Sequence, residues 1–227
     1  MRKVKMVQYL NQFFGQIGGE EKAGLTPQVQ KGPLGVGQLI QSASENQFEV
    51  VLTIICGDNY AAEHLEETES AILEWVRKAQ ADLFLAGPAF AAGRYGLACG
   101  MICKAVQQKL GILALTAMHR LNPGVDLVRK DIYILEAGDS ARDMKRVVPK
   151  MVALAKKIFE GTPIGLPQEE GYIPKGVRVN VRVEKRGSKR AVEMRLKKLR
   201  GEPFETELPT VATIRSMLMM TRTASYP

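Results

Sequence analysis

Cysteine, histidine and tryptophan are scarce in this chain, with three, two and one copies in 227 residues. An odd and small set of cysteines, Cys56, Cys99 and Cys103, excludes a disulfide scaffold and fits a reducing compartment. No Cys-x-x-Cys pair is present, so no metal motif is read and no metal is expected. No Gly-x-Gly-x-x-Gly follows a strand and no Walker sequence occurs, which leaves nucleotide binding without support. Long apolar runs are missing too. The opening segment Met1 to Leu10 is basic and interrupted by Lys3, Lys5 and Gln8, so it reads neither as a signal peptide nor as a membrane span, and the expectation is a cytoplasmic protein without a membrane partner.

What remains is ordinary globular material, 45% hydrophobic and 25% charged, enough for one large α/β domain or one plus an appendage. The net charge of +8 is local. Residues Gly171 to Arg200 hold 11 Lys or Arg against 2 Asp or Glu, which leaves 21 basic and 22 acidic residues elsewhere out of 32 and 24. With no aromatic-rich RNP-like motif beside it, the patch reads as a solvated face or a docking surface for an acidic partner, in preference to a nucleic-acid site.

Hydrophobic patterning gives the fold class. Val4 to Leu10 reads as a first strand followed by a glycine-bearing loop, Asn11 to Gly19. Phe48 to Ile55 is a continuous β-branched run, the pattern of a parallel strand buried on both faces. Asp82 to Ala86, Ile112 to Ala117 and Ile132 to Leu135 supply three more strands. Between them lie helices over Ala61 to Ala79, Gly93 to Leu110 and Ser140 to Glu160, the last with a kink expected at Pro149. Strands alternating with helices of this length predict a three-layer, mostly parallel Rossmann-like sheet over residues 1–162. Residues 163–209 read as a linker and a basic strand-helix appendage, its strand marked by the alternation of Val177, Val179, Val181 and Val183. Residues 210–227 read as an irregular tail.

Polar residues gather at the predicted carboxyl ends of the strands, where open α/β sheets bind ligands. They are Gly18-Gly19-Glu20-Glu21, Cys56-Gly57-Asp58-Asn59, Gly87-Pro88-Ala89-Phe90, and His119 with Asn122-Pro123-Gly124. Each has a plainer reading: Gly-Gly as a turn, Asp58-Asn59 as the cap of the next helix, Cys99 and Cys103 as two small buried hydrophobes on one helix face. Arg94, between Gly93 and Gly96 at a helix start, suits a carboxylate or a phosphate, and an ion pair equally. Cys56, Cys99 and His119 are the catalytic candidates, as nucleophile, redox thiol and acid or base.

The blocks Asn11-Gln12-Phe13-Phe14, Ile17 to Ala23, Cys56 to Asn59, Ala86 to Phe90, Ala92 to Tyr95-Gly96, Ala98-Cys99-Gly100, Met118-His119, Asn122 to Val125, Gly201 to Phe204 and Thr206 to Pro209 together resemble the N-terminal half of the selenoprotein B subunit of glycine, sarcosine and betaine reductases. The resemblance implies reductive cleavage of a small amino-acid substrate. In the glycine enzyme the substrate is held as a Schiff base on a pyruvoyl group of a partner component B subunit. A selenol attacks the α-carbon and expels ammonia or an amine. The carboxymethyl group passes to selenoprotein A, component C releases acetyl phosphate, and thioredoxin-type reductants supply the electrons. With the strand-end reading, it marks Gly19, Glu20, Asp58, Asn59, Phe90, Arg94, Tyr95 and Asn122 as substrate-binding candidates.

The chain departs from the family's pattern in one large way. The family carries its selenocysteine in a second half that has no counterpart here, so no cofactor is expected within this chain. Val211 to Pro227 also fails to resemble the family's continuation, and a change of reading frame after Thr210 is the expectation. The leading reading is a truncated or split subunit, an oxidoreductase by descent and inactive alone. Its rivals are a carboxylate-binding module anchored by Arg94 and His119, and an interaction protein using the basic patch. A homodimer covering a face left bare by the missing half is a further expectation.

Overall fold

A computed structural model describes residues 3–176, 185 and 187–203. Strand β1 (Val4–Asn11) is followed by the short edge strand β2 (Gln28–Lys31), helix α1 (Val36–Ala43) and strand β3 (Phe48–Cys56). Helices α2 (Asp58–Glu63) and α3 (Leu65–Lys78) lead to β4 (Leu83–Phe90), α4 (Gly93–Leu110), β5 (Leu113–His119), α5 (Pro123–Val128), β6 (Tyr133–Ala137) and α6 (Met144–Phe159). A single turn, α7 (Pro167–Glu170), and the basic helix α8 (Gly187–Leu199) complete the described elements.

The expected class holds. Five parallel strands and the antiparallel β2 form one sheet in the order β2-β3-β1-β4-β5-β6. Numbered in chain order, the parallel strands run 2-1-3-4-5, the doubly wound arrangement whose direction of growth reverses beside the first strand. The parallel strands are largely buried on both sides, β4 at every position, which explains the apolar runs, while the edge strand β2 is exposed. Val7, Tyr9, Phe84, Ile72, Val76, Ile102 and Val106 form a core on the side of α3 and α4. On the other face Met6, Leu10 and Leu85 pack with Ile40 of α1 and Val148 and Met151 of α6.

Several elements differ from the sequence reading. The helix expected over Ala61 to Ala79 begins earlier and breaks at His64, whose φ of −125° and ψ of 47° leave the helical region. The helix expected from Ser140 starts as a short 3₁₀ turn, Ala141–Asp143, and becomes α-helical only at Met144. Pro149 lies inside α6 on its exposed side. The chain divides into two compact units, Met1–Lys175 and Gly176–Pro227. Segment 163–175 belongs to the first: backbone N–H groups of Glu136 and Ile173 donate to Gly171 and Ile134 at 2.9 and 2.8 Å, closing the free edge of β6. In the second unit α8 exposes Val192, Leu196 and Leu199. The valine strand expected over 177–183 and the tail 210–227 lie outside the described residues. No helix among the described residues is long and apolar enough to cross a membrane.

Candidate functional site

In a 2-1-3-4-5 sheet the chain leaves the first strand in one direction and later crosses to its other side, so the loops after β1 and β4 diverge and leave a crevice. Such a crevice is present here, a cleft of about 320 Å³, at the small end of the range for ligand pockets. Asn11, Gln12, Phe13 and Phe14 line it from the end of β1, and Gly19 and Glu20 from the loop beyond. Asp58 enters from the start of α2. Ala89, Phe90 and Ala92 close it from the end of β4, and Asp139, Ser140 and Ala141 from the loop after β6.

Its polar wall is built from three side chains that hold one another. Asn11 Nδ2 donates to Asp58 Oδ2 at 3.0 Å, the backbone N–H of Asp58 donates to Gln12 Oε1 at 3.1 Å, and Asn11 Oδ1 accepts the N–H of Phe14 at 2.9 Å. Asn11 and Gln12 are buried, so these bonds fix their rotamers. Asp58 Oδ1 is also buried, and it has no hydrogen-bond partner. Burial pushes the Asp58 carboxyl above the usual carboxylate range, against the pull of the Asn11 and Gln12 hydrogen bonds and of Arg94. The capping role expected of Asp58 is not the one observed: α2 has no side-chain cap at Gly57, and the carboxylate turns to Asn11.

The lining is also aromatic. The rings of Phe13 and Phe14 meet nearly at right angles, 84° with centroids 5.3 Å apart, and Phe14 lies 5.9 Å from Phe90 at 45°. Phe13 is 62% exposed and stands at the mouth. Phe90 is buried with φ of +51°, a left-handed conformation that costs an ordinary residue about 1–2 kcal/mol and persists where neighbours enforce it. Asn122 is one such neighbour. Its Nδ2 donates to the carbonyls of Phe90 and Ala92, both at 3.0 Å, while its Oδ1 accepts the N–H of Gly124 and caps α5. Gly96 permits this approach, since a Cβ there would lie 2.2 Å from Asn122 Oδ1.

Of the substrate-binding candidates, Gly19, Glu20, Asp58 and Phe90 line the cleft. Arg94 stands outside the lining and pairs with Glu20 at 2.8 Å, both side chains exposed. Asn59, Tyr95 and Asn122 do not line it: Tyr95 is buried against Tyr9 and Phe14, and Asn122 acts through the backbone it clamps. The catalytic candidates lie elsewhere. Cys56 is buried at the end of β3, its thiol donating weakly to the Leu25 and Gly57 carbonyls, and burial pushes its pKa up to about 12 despite the neighbouring Thr68 hydroxyl. Cys99 and Cys103 are buried in α4 and raised by the same cause. His119 ends β5, where its Nδ1 accepts the Leu121 N–H at 3.2 Å. Sequence reasoning missed Asn11, Gln12, Phe13, Phe14, Asp139 and Ser140 as lining residues, although the first four head the family blocks. Among the described residues, no group of three His, Cys, Asp or Glu side chains could hold a metal ion.

These features define a doubly wound α/β domain with a cleft at its topological switch point, lined by amides, carboxylates and phenylalanines. The chain belongs to the glycine/sarcosine/betaine reductase selenoprotein B family, whose model matches residues 3–218. It is 50% identical over 212 residues to the glycine reductase complex component B subunit gamma of Carboxydothermus hydrogenoformans, covering 93% of this chain and 49% of that one. It is 49% identical over 209 residues to the sarcosine reductase complex component B subunit beta of Peptoclostridium acidaminophilum, covering 92% and 48%. The betaine reductase complex component B subunit beta of the same organism is 45% identical over 207 residues, with coverages of 90% and 47%. The chain thus spans about half the length of these relatives, which are subunits of multi-subunit complexes. No solved structure matches it significantly.

Proposed function

We propose that this chain is the substrate-side domain of a component B selenoprotein-type subunit, and that the cleft between β1 and β4 holds a zwitterionic small amino acid for reductive removal of its amine. The observation that carries the reading is Asp58, a cleft-lining carboxylate fixed by Asn11 and Gln12, whose Oδ1 is buried without a hydrogen-bond partner. A buried anion of this kind is costly unless a cation completes it, and a substrate ammonium is such a cation. Ala92, also in the lining, is the N-cap of α4 and makes no side-chain cap. The positive end of an 18-residue helix there suits the substrate's carboxylate. The two poles of the cleft therefore match the two charges of an amino acid. The carboxylate-binding alternative anchored on Arg94 and His119 has less support, since neither side chain lines the cleft.

The role left to this domain is to bind and orient, with the nucleophile supplied from outside it. None of the three thiols lines the cleft, and all are held protonated by burial. The selenol and the pyruvoyl group that the family likeness implies belong, in this reading, to the remainder of a component B subunit and to its partner subunit, and selenoprotein A is the next acceptor. The test is calorimetric titration of the chain with glycine, sarcosine and betaine, before and after Asp58→Asn. Asparagine keeps the shape and removes the charge, and a weakening of about tenfold or more is expected, the size of a lost charge-assisted contact. Equal affinity in the variant would remove Asp58 from the site.

A further inference from the structure

We infer that helix α8 is a docking surface for an acidic amphipathic helix of another polypeptide, with Val192, Leu196 and Leu199 as its apolar contact and the cations beside them as its charge contact. The inference stands on the second compact unit alone and is independent of what the cleft binds.

The three side chains are spaced by four and then three residues, so they fall within about 60° of one another around the helix. That spacing is the one that forms the seam between paired helices. Val192 is 57% exposed, Leu196 43% and Leu199 81%, and no residue of the helix is buried. Cations border the stripe on both sides. By helical periodicity Lys189 and Arg200 flank it on one side and Arg195 on the other, all three exposed. Within Gly187–Leu199 the charged residues are Lys189, Arg190, Arg195, Lys197 and Lys198 against Glu193, and Glu193 is taken by Lys185 at 2.9 Å. Lys189, Arg195, Lys197, Lys198 and Arg200 have no salt-bridge partner among the described residues. A helix of this length is marginal in water without tertiary packing, and a partner laid on the stripe supplies it.

So basic a surface attracts several kinds of partner, and the stripe separates them. Nucleic acid would neutralise the cations and leave three large apolar side chains against a phosphate backbone. An anionic membrane takes up helices whose apolar face carries Trp or Phe among its large side chains, and α8 has no aromatic residue. In a second copy of the chain, α8 against α8 sets cations against cations. The acidic side of α2 and α3, with Glu63, Glu66 and Glu67 exposed, offers charge but none of the exposed large hydrophobics. A helix with an apolar stripe bordered by Asp or Glu answers both features at once.

The probe is a fluorescein-labelled peptide of about three heptads, with Leu at a and d and Glu at e and g, whose own glutamates keep it from pairing with itself. It is titrated with the full chain and followed by fluorescence anisotropy. Binding is expected, weakened at least about tenfold by Leu196→Asp, the loss of one central interface contact, and weakened by added salt. Leu199→Asp, in the last turn, makes the same test with the least disturbance of the helix, and circular dichroism checks the fold of both. Arg195→Glu should weaken the acidic peptide and favour its counterpart with Lys at e and g. No binding of the acidic peptide, or binding unchanged in both aspartate variants, overturns the inference. So does polyglutamate of equal charge bound as tightly, which makes the contact one of charge alone. Tighter binding to double-stranded DNA or to phosphatidylglycerol vesicles than to the peptide gives the surface to phosphate instead, and self-association abolished by Leu196→Asp gives it to a second copy.

Discussion

At the scale of single residues, burial decides which candidate can do chemistry. Cys56 sits at a strand end beside the cleft, yet it is fully buried and its thiol is pushed up to about 12. At pH 8 about one copy in ten thousand is then thiolate, where an ordinary cysteine is roughly a quarter ionised. Cys99 and Cys103, raised by the same desolvation, follow it. Native protein treated with a thiol reagent at pH 8 should therefore show no fast-reacting cysteine, and three after denaturation; a rapid native reaction at Cys56 would return it to the list of nucleophiles. Asp58 is the opposite case, a raised carboxyl whose charge is useful. Because its pKa is higher folded than unfolded, the native state takes up its proton first, so the residue costs stability at neutral pH and the cost disappears as pH falls through the folded value. Asp58→Asn should raise the melting temperature at pH 7, with a gain that shrinks in acid. Ammonium binding by the unaltered chain should weaken on acidification sooner than an ordinary carboxylate would predict. A melting temperature unchanged or lowered at pH 7 would contradict the desolvation argument.

The elements explain why part of this was readable in advance and part was not. β3 and β4 are legible because strands buried on both faces need apolar residues at every position, and a run such as Phe48 to Ile55 has few other uses. β2, α1 and α5 leave no such trace: β2 is four exposed residues (Gln28–Lys31), and the two helices have eight and six, too short to show a period. The cleft divides in the same way. Asp58, Gly19 and Glu20 stand out as polar groups after strands. Asn11 and Gln12 look like an ordinary turn until the sheet order makes β1 the switch strand, and that order is a long-range property. Asn122 shows how an element carries a site it never touches. It caps α5, packs against Gly96 of α4 and holds two carbonyls of the Phe90–Ala92 turn. Asn122→Ala loses a buried cap and leaves two buried carbonyls without their donor, at about 2–4 kcal/mol together. Chemical denaturation should register that loss, and ligand affinity should fall further than in an equally destabilised variant of the C-terminal turns of α6. If the two variants lose affinity alike, Asn122 serves the fold only.

At the scale of the whole molecule, the proposal separates a domain that binds the substrate from a nucleophile that lies outside it. Reductive cleavage needs a nucleophile that is ionised at working pH and reaches the α-carbon of the bound substrate. The cleft offers charge, orientation and rings, while Cys56, Cys99 and Cys103 are all buried with their protons held. Binding energy realised equally in the ground state and the transition state does not accelerate a reaction, so on the proposed division even tight capture of the substrate by this domain alone gives no turnover. Incubated with glycine, sarcosine or betaine, a dithiol reductant and the partner components but no second selenoprotein B subunit, the chain should release no ammonia, methylamine or trimethylamine above the rate without it. The same chain should still deplete free ligand through its cleft, which separates an intact binding domain from an unfolded one. Amine release that survives both Cys56→Ser and Cys99→Ser would place the nucleophile at neither thiol. Release abolished by either substitution would show that the native fold opens far enough to expose a buried thiol, and would overturn the division between a binding domain and a separate nucleophile.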